Sequence, residues 1–216
     1  MNKIINVKSS FLLLCAVVLS GCAIAPYDYS ALNEHKPRSI LVIPPNNNSV
    51  EVNAPYIFLS TVSKPLAEKG YYVFPVSVID HFLKQNGLPT PAEMNAIPLD
   101  KIQETIGADA VLYTTIEEWG QKFQLLSSKT IVNAKMRLVD VRSGIDLWDG
   151  HAYFEQSSGD GGGGLIGALA NAVVTQIVNS KIDQTPRVSA QAVASIVSNR
   201  HKGLLAGPYA PQPKAK

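Results

Sequence analysis

The chain has 216 residues, with 19 Lys plus Arg against 17 Asp plus Glu, and 46% of its residues are hydrophobic. That length suits a single domain with a real core and exposed ends. The two cysteines stand at 15 and 22, which excludes a disulfide scaffold and a Cys-rich metal site in the body.

The first predicted element is an export segment. Lys3 and Lys8 precede the continuously apolar stretch from Phe11 to Leu19, which is too short to span a bilayer. It closes on Leu19-Ser20-Gly21-Cys22, which resembles the lipobox of bacterial lipoprotein precursors. The resemblance implies cleavage before Cys22, acylation of its thiol and a membrane-lipid partner. Ala23 after the lipid cysteine, in place of Asp, resembles the sorting signal of diderm lipoproteins sent to the outer membrane, with the body expected to face the periplasm. Removing residues 1–21 leaves 17 basic and 17 acidic side chains, so no basic field remains to favour nucleic acid. The expected layout is a signal peptide at 1–21, a lipidated tether at 22–37, one α/β domain at 38–206 and a disordered, Pro-rich tail at 207–216.

Within the body, Ser39-Ile40-Leu41-Val42-Ile43 reads as a buried strand ended by Pro44-Pro45, and Asn46-Asn47-Asn48 as an irregular turn. Residues 55–69 read as a helix with Pro55 in its first turn, Gly70 at its end and a kink or break at Pro65. The strand at 71–76 completes a βαβ unit with parallel pairing. Helices are expected at 78–85 and 99–106, then a central strand at 110–116. Residues 126–141 alternate: Val132, Ala134, Met136 and Leu138 on one face, Asn133, Lys135 and Arg137 on the other, as in a sheet with one wet face. A turn at 140–144 leads to a return strand through Leu147-Trp148 and Ala152-Tyr153-Phe154, forming an antiparallel hairpin. Gly159–Gly164 reads as a flexible hinge. A helix carrying Leu165, Leu169, Val173 and Ile177 follows, then a last helix from Pro186 to about residue 200 with Val188, Ala192 and Ile196 on one face. The fold class is α/β, with a mixed sheet of about five strands packed by helices.

Catalytic signals are absent from the sequence. His35, His81, His151 and His201 have no metal-ligand spacing, and neither His-Glu-x-x-His nor Gly-x-Ser-x-Gly occurs. Glu117 and Glu118 are adjacent on a strand, so they point to opposite faces and do not make a glycosidase pair. Gly162-x-x-x-x-Gly167 has phosphate-loop spacing, but Ala168-Leu169 replaces the required Lys and Ser/Thr. No enzyme activity, metal or cofactor is expected. Gly164, Ala168 and Ala172, four apart, form a candidate helix interface, and several tyrosines could serve contacts. Asn46, Asn47 and Asn48, beyond the C-terminal end of a parallel strand, form a candidate ligand loop by fold analogy.

Taken together, Ser39–Pro45, Pro65-Leu66-Ala67-Glu68-Lys69-Gly70-Tyr71-Tyr72-Val73-Phe74-Pro75, Gly107-Ala108-Asp109-Ala110 and the lipobox resemble a bacterial lipoprotein family of uncharacterised function that includes a meningococcal surface-antigen candidate. The resemblance spans almost the whole chain. It implies an outer-membrane-attached protein, a body similar to the N-terminal domain of TolB-type periplasmic proteins, and a homodimer. It further implies an association with lipoproteins similar to the curli secretion channel. Leu138-Val139-Asp140 and Ser143-Gly144-x-x-Leu147-Trp148 are similar to the hairpin of those relatives. The expected role is that of a non-enzymatic adaptor or export accessory. The alternative is an envelope lipoprotein that binds a small ligand or glycan.

Overall fold

The computed structural model describes residues 25–123, 128–157 and 183–211. Cys22 and Ala23, the glycine hinge, the helix expected after it and the interface trio Gly164, Ala168 and Ala172 lie outside the described residues.

Strand β1 (Ser39–Val42) buries Ile40, Leu41 and Val42, and Ile43 beyond it, because both faces of the sheet are covered there. Such a strand must be apolar without alternation. Pro44 and Pro45 then interrupt the backbone donors. Pairing resumes at β2 (Asn46–Asn47), which lies parallel to Thr115 and Ile116. The asparagines therefore do not form the expected irregular turn. The central strand runs on past the end of β1 and leaves an edge for β2 to occupy. Helix α2 (Ala54–Glu68) continues through Pro65 without the expected break. Pro65 stands near the C-terminus of the helix, where only the bond to the Thr61 carbonyl is forfeited. Phe58, Val62 and Leu66, four apart, are fully buried and set the helix on the sheet; each such side chain contributes about 1.5–3 kcal/mol. Strand β3 (Tyr72–Val73) pairs parallel with β1, as the βαβ reading requires. It is shorter than expected because Pro75 precedes the next helix.

Helices α3 (Val76–Gln85), α4 (Pro91–Asn95) and α5 (Leu99–Thr105) cover one face of the sheet. Their Ile79, Leu83, Met94 and Ile102 pack with Leu41, Ile43, Val111 and Val141. Helix α4 has no counterpart in the expectations above, although Thr90-x-x-Glu93 forms a capping box at its start.

Strands β4 (Ala110–Phe123), β5 (Ser128–Asp140) and β6 (Asp146–Ser157) complete a six-stranded sheet in the order β3-β1-β4-β5-β6, with β2 beside β4. Pairing is parallel among β3, β1, β2 and β4 and antiparallel from β4 to β6. This is the mixed α/β sheet that the sequence predicts. Val132, Ala134, Met136 and Leu138 are buried while Lys135 and Arg137 are exposed, as the alternation requires. The β5–β6 turn is tied by Asp140, whose Oδ1 accepts from the Arg142 N–H (3.1 Å), the Ser143 N–H (2.8 Å) and the Ser143 hydroxyl (2.8 Å). Its Oδ2 faces His35 Nδ1 at 3.4 Å. Burial alone would raise the Asp140 carboxyl, but the Ser143 bonds, His35 and the Arg142 N–H together hold it below the usual carboxylate range. A depressed folded-state value means the contribution is complete above the unfolded pKa, about 3.9, and is lost as pH falls through the folded value. Unfolding titrations of the wild type are expected to show this acid limb, and Asp140→Asn to flatten it.

Helix α6 (Thr185–Val197) closes the other face beside α2, burying Val188, Ala192, Val193 and Val197. Ser189 is fully buried there and shares a hydrogen bond of 2.7 Å with the Thr61 hydroxyl. Helix α1 (Ser30–His35) adds Leu32 to this core. The Tyr29 hydroxyl donates to the Gly203 carbonyl (2.6 Å) and that of Tyr71 to the Leu205 carbonyl (3.0 Å). The Gly207 N–H reaches the Lys69 carbonyl (2.7 Å) and the Tyr209 N–H that of Gly70 (2.9 Å). Residues 27–35 of the expected tether and 207–210 of the expected disordered tail are thus held against the body.

Candidate functional site

The uncovered half of the sheet supplies the site. Helices α3–α5 shield β1 and the start of β4, but the same face of β5 and β6 carries Asn133, Lys135, Arg137, Asp149 and His151. Where this polar face meets the α4–α5 side it forms a groove of about 840 Å³. Asn46, Asn95, Tyr113, Lys135, Arg137 and His151 are among its lining residues.

Most of these side chains are held in pairs. Lys135 Nζ stands 3.1 Å from Glu117 Oε1, and Asn48 Nδ2 donates to Glu117 Oε2 at 3.4 Å. Lys135 first, and Asn48 second, hold the Glu117 carboxyl below its usual range. Arg137 lies over the Tyr113 ring, 5.6 Å from its centroid, and faces Asp146 at 3.5 Å. Burial pushes the Tyr113 hydroxyl upward, against the opposing effect of Arg137. His151 Nε2 shares a hydrogen bond of 2.7 Å with Asn133 Oδ1. Asn95 donates to the carbonyls of Pro44 (2.8 Å) and Pro91 (2.7 Å), which fixes α4 to the link between β1 and β2. Arrayed donors beside a half-buried aromatic ring can hold a polar or acidic molecule non-covalently. Among the described residues no three His, Cys, Asp or Glu side chains are grouped to hold a metal ion, and no helix is long and apolar enough to cross a membrane.

The structure separates the three asparagines of the predicted ligand loop. Asn46 lines the groove, Asn47 bonds within its own loop to Ser49 and the Glu51 carbonyl, and Asn48 reaches Glu117. Lys135, Arg137, Tyr113, His151 and Asn95 were not singled out as binding residues. The available signal is register: Lys135, Arg137 and His151 fall on the polar side of alternating strands.

A mixed-sheet α/β body that follows the sequence Leu19-Ser20-Gly21-Cys22 fits the class of bacterial lipoproteins. The family described as "Putative lipoprotein GNA1162-like" matches residues 27–209, and the chain belongs to that family. It is 45% identical over 200 residues to "Putative lipoprotein NMB1124/NMB1162" of Neisseria meningitidis serogroup B, an alignment covering 91% of this chain and 93% of that protein. It is also similar to the crystal structure of lipoprotein GNA1162 from Neisseria meningitidis, with 46% identity and a TM-score of 0.55, covering 66% of this chain and 99% of that one. A PelC dodecamer from Paraburkholderia phytofirmans aligns at 15% identity and a TM-score of 0.45, over 79% of this chain and 93% of that one.

Proposed function

We propose that the protein is a non-enzymatic accessory lipoprotein, anchored in the outer membrane through acylated Cys22 and facing the periplasm. There it supports envelope assembly, export or transport through protein–protein contacts, including a homodimer for which Gly164, Ala168 and Ala172 are candidate contact residues. The observation that carries this reading is Cys22, placed in a lipobox a few residues ahead of a family-matched body that begins at Tyr27. Ala23 supports the outer-membrane destination. Two or more acyl chains make anchoring durable, at about 0.8 kcal/mol per buried methylene.

Metabolic fatty-acid labelling is expected to mark the wild type, and Cys22→Ser is expected to abolish the label and release the protein from the membrane fraction. A labelled Cys22→Ser protein would sink the reading. Crosslinking in native envelopes then tests the role: recovery of a defined assembly or secretion complex, lost in Cys22→Ser, is the expected result. The groove favours a second reading, in which Asn46, Lys135, Arg137 and His151 hold a small polar ligand or a glycan. Titration with acidic and neutral saccharides is then expected to shift the amide resonances of β5 and β6, and Arg137→Ala to weaken that response.

A further inference from the structure

The expected tether of 22–37 would let the body stand up to roughly 50 Å from its lipid. The structure shortens it. Tyr27 is clamped at the sheet edge: its hydroxyl donates to Asp149 Oδ1 at 2.9 Å and accepts from the Asp149 N–H at 3.0 Å. Its ring packs edge-to-face on Tyr29, with centroids 4.7 Å apart. Lys202 lies over the same ring, 5.1 Å from the centroid, and pairs with Asp149. Burial, with Asp149 beside it, pushes the Tyr27 hydroxyl up to about 12. Only residues 23–26 separate Cys22 from this clamp, so a fully extended link reaches at most about 18 Å.

The dimensions of the body then decide its orientation. A folded chain of this size is roughly 40 Å across. To turn its opposite pole toward the membrane, it would have to carry Tyr27 about that distance from the lipid, beyond the reach of the link. The surface next to Tyr27 is the turn that follows α6. Arg200 and His201 are exposed there, and the Asn199 side chain fixes the turn by accepting from the His201 (2.8 Å) and Lys202 (3.0 Å) N–H groups. Basic side chains in that position favour phosphate headgroups.

We propose that the Asn199–Gly203 turn, together with Tyr27, is a membrane seat that rests on the headgroups of an anionic phospholipid surface and fixes which side of the body faces away. This rests on acylation of Cys22, proposed above. The test uses the full acylated protein, extracted from host membranes and reconstituted into vesicles of phosphatidylcholine and phosphatidylglycerol doped with a headgroup-nitroxide lipid. A clickable unnatural residue carries a fluorophore at exposed position 201 or, as the control, at exposed position 81 on α3, which packs on the β1 side of the sheet, away from the β6 edge that holds Asp149. Mass analysis of the same samples reads the modification of Cys22. The expected result is severalfold stronger quenching at position 201 than at position 81, reduced by Arg200→Glu combined with Lys202→Glu. Equal quenching at the two positions with Cys22 acylated overturns the seat alone. An unmodified Cys22 overturns the anchoring and the seat with it.

Discussion

Trp148→Ala is expected to cost about 3–5 kcal/mol of folding stability, the range for a fully buried Trp truncated to Ala. Trp148 is only 1% exposed, in the core between the sheet and α6. Its Nε1 donates to the Lys202 carbonyl at 2.8 Å, so truncation leaves both a cavity and an unpartnered acceptor. The ring also depends on Gly150, since a Cβ there would come within 2.4 Å of Trp148 Cη2. A domain of this kind is stable by only about 5–15 kcal/mol, so the loss is a large share of the total. Urea unfolding followed by far-ultraviolet circular dichroism reads it directly. Trp148→Phe loses the hydrogen bond but keeps most of the packing, and its midpoint should fall between the other two. A Trp148→Ala midpoint within error of the wild type would refute this account of the core.

Gly70→Ala is expected to cost about 2–4 kcal/mol through two separable effects. Gly70 has φ +89°, in the left-handed region, which costs an L residue about 1 kcal/mol or more. Its added Cβ would also stand 2.1 Å from the Ala210 backbone nitrogen, and backbone cannot swing aside as a flexible side chain can. The 207–210 segment would have to lift off, breaking its bonds to the Lys69 and Gly70 carbonyls. A truncation after Ala206 separates the effects. In that background Gly70→Ala should retain only the backbone cost, and the difference between the two penalties is the coupling energy. Equal penalties in both backgrounds would show that the C-terminal segment is not packed there.

The parts of the fold legible in the sequence are those with a local period. The apolar run of β1 and the alternation of β5 each state their own burial, whereas the Phe58, Val62 and Leu66 stripe of α2 emerges only in the packed helix. Strand β2 was not legible, because two asparagines carry no strand preference and their pairing depends on how far β4 extends. Strand β6 was legible as the return strand of the hairpin, but the role of Gly150 was not, since the room it leaves for Trp148 shows only in the packing. The clamps of Tyr27 and Tyr29 were hidden for a different reason, since their partners Asp149 and Gly203 lie far along the chain. The same limit applies to the site. Lys135 and Arg137 were legible as a wet face, but the groove wall comes from Asn95 and its neighbours, placed by a helix that the periodicity did not show. Asn46 reached the groove, and the next two asparagines did not.

Tyr29 and Tyr71 are fastened to the stretch from Gly203 to Tyr209, so this part of the body closes only when that stretch is in place. Until then β5 and β6 lack the cover of α6, and Trp148 has no carbonyl to meet. On the export route proposed above, this fastening forms only after the segment from Gly203 to Tyr209 has followed the rest of the body across the membrane.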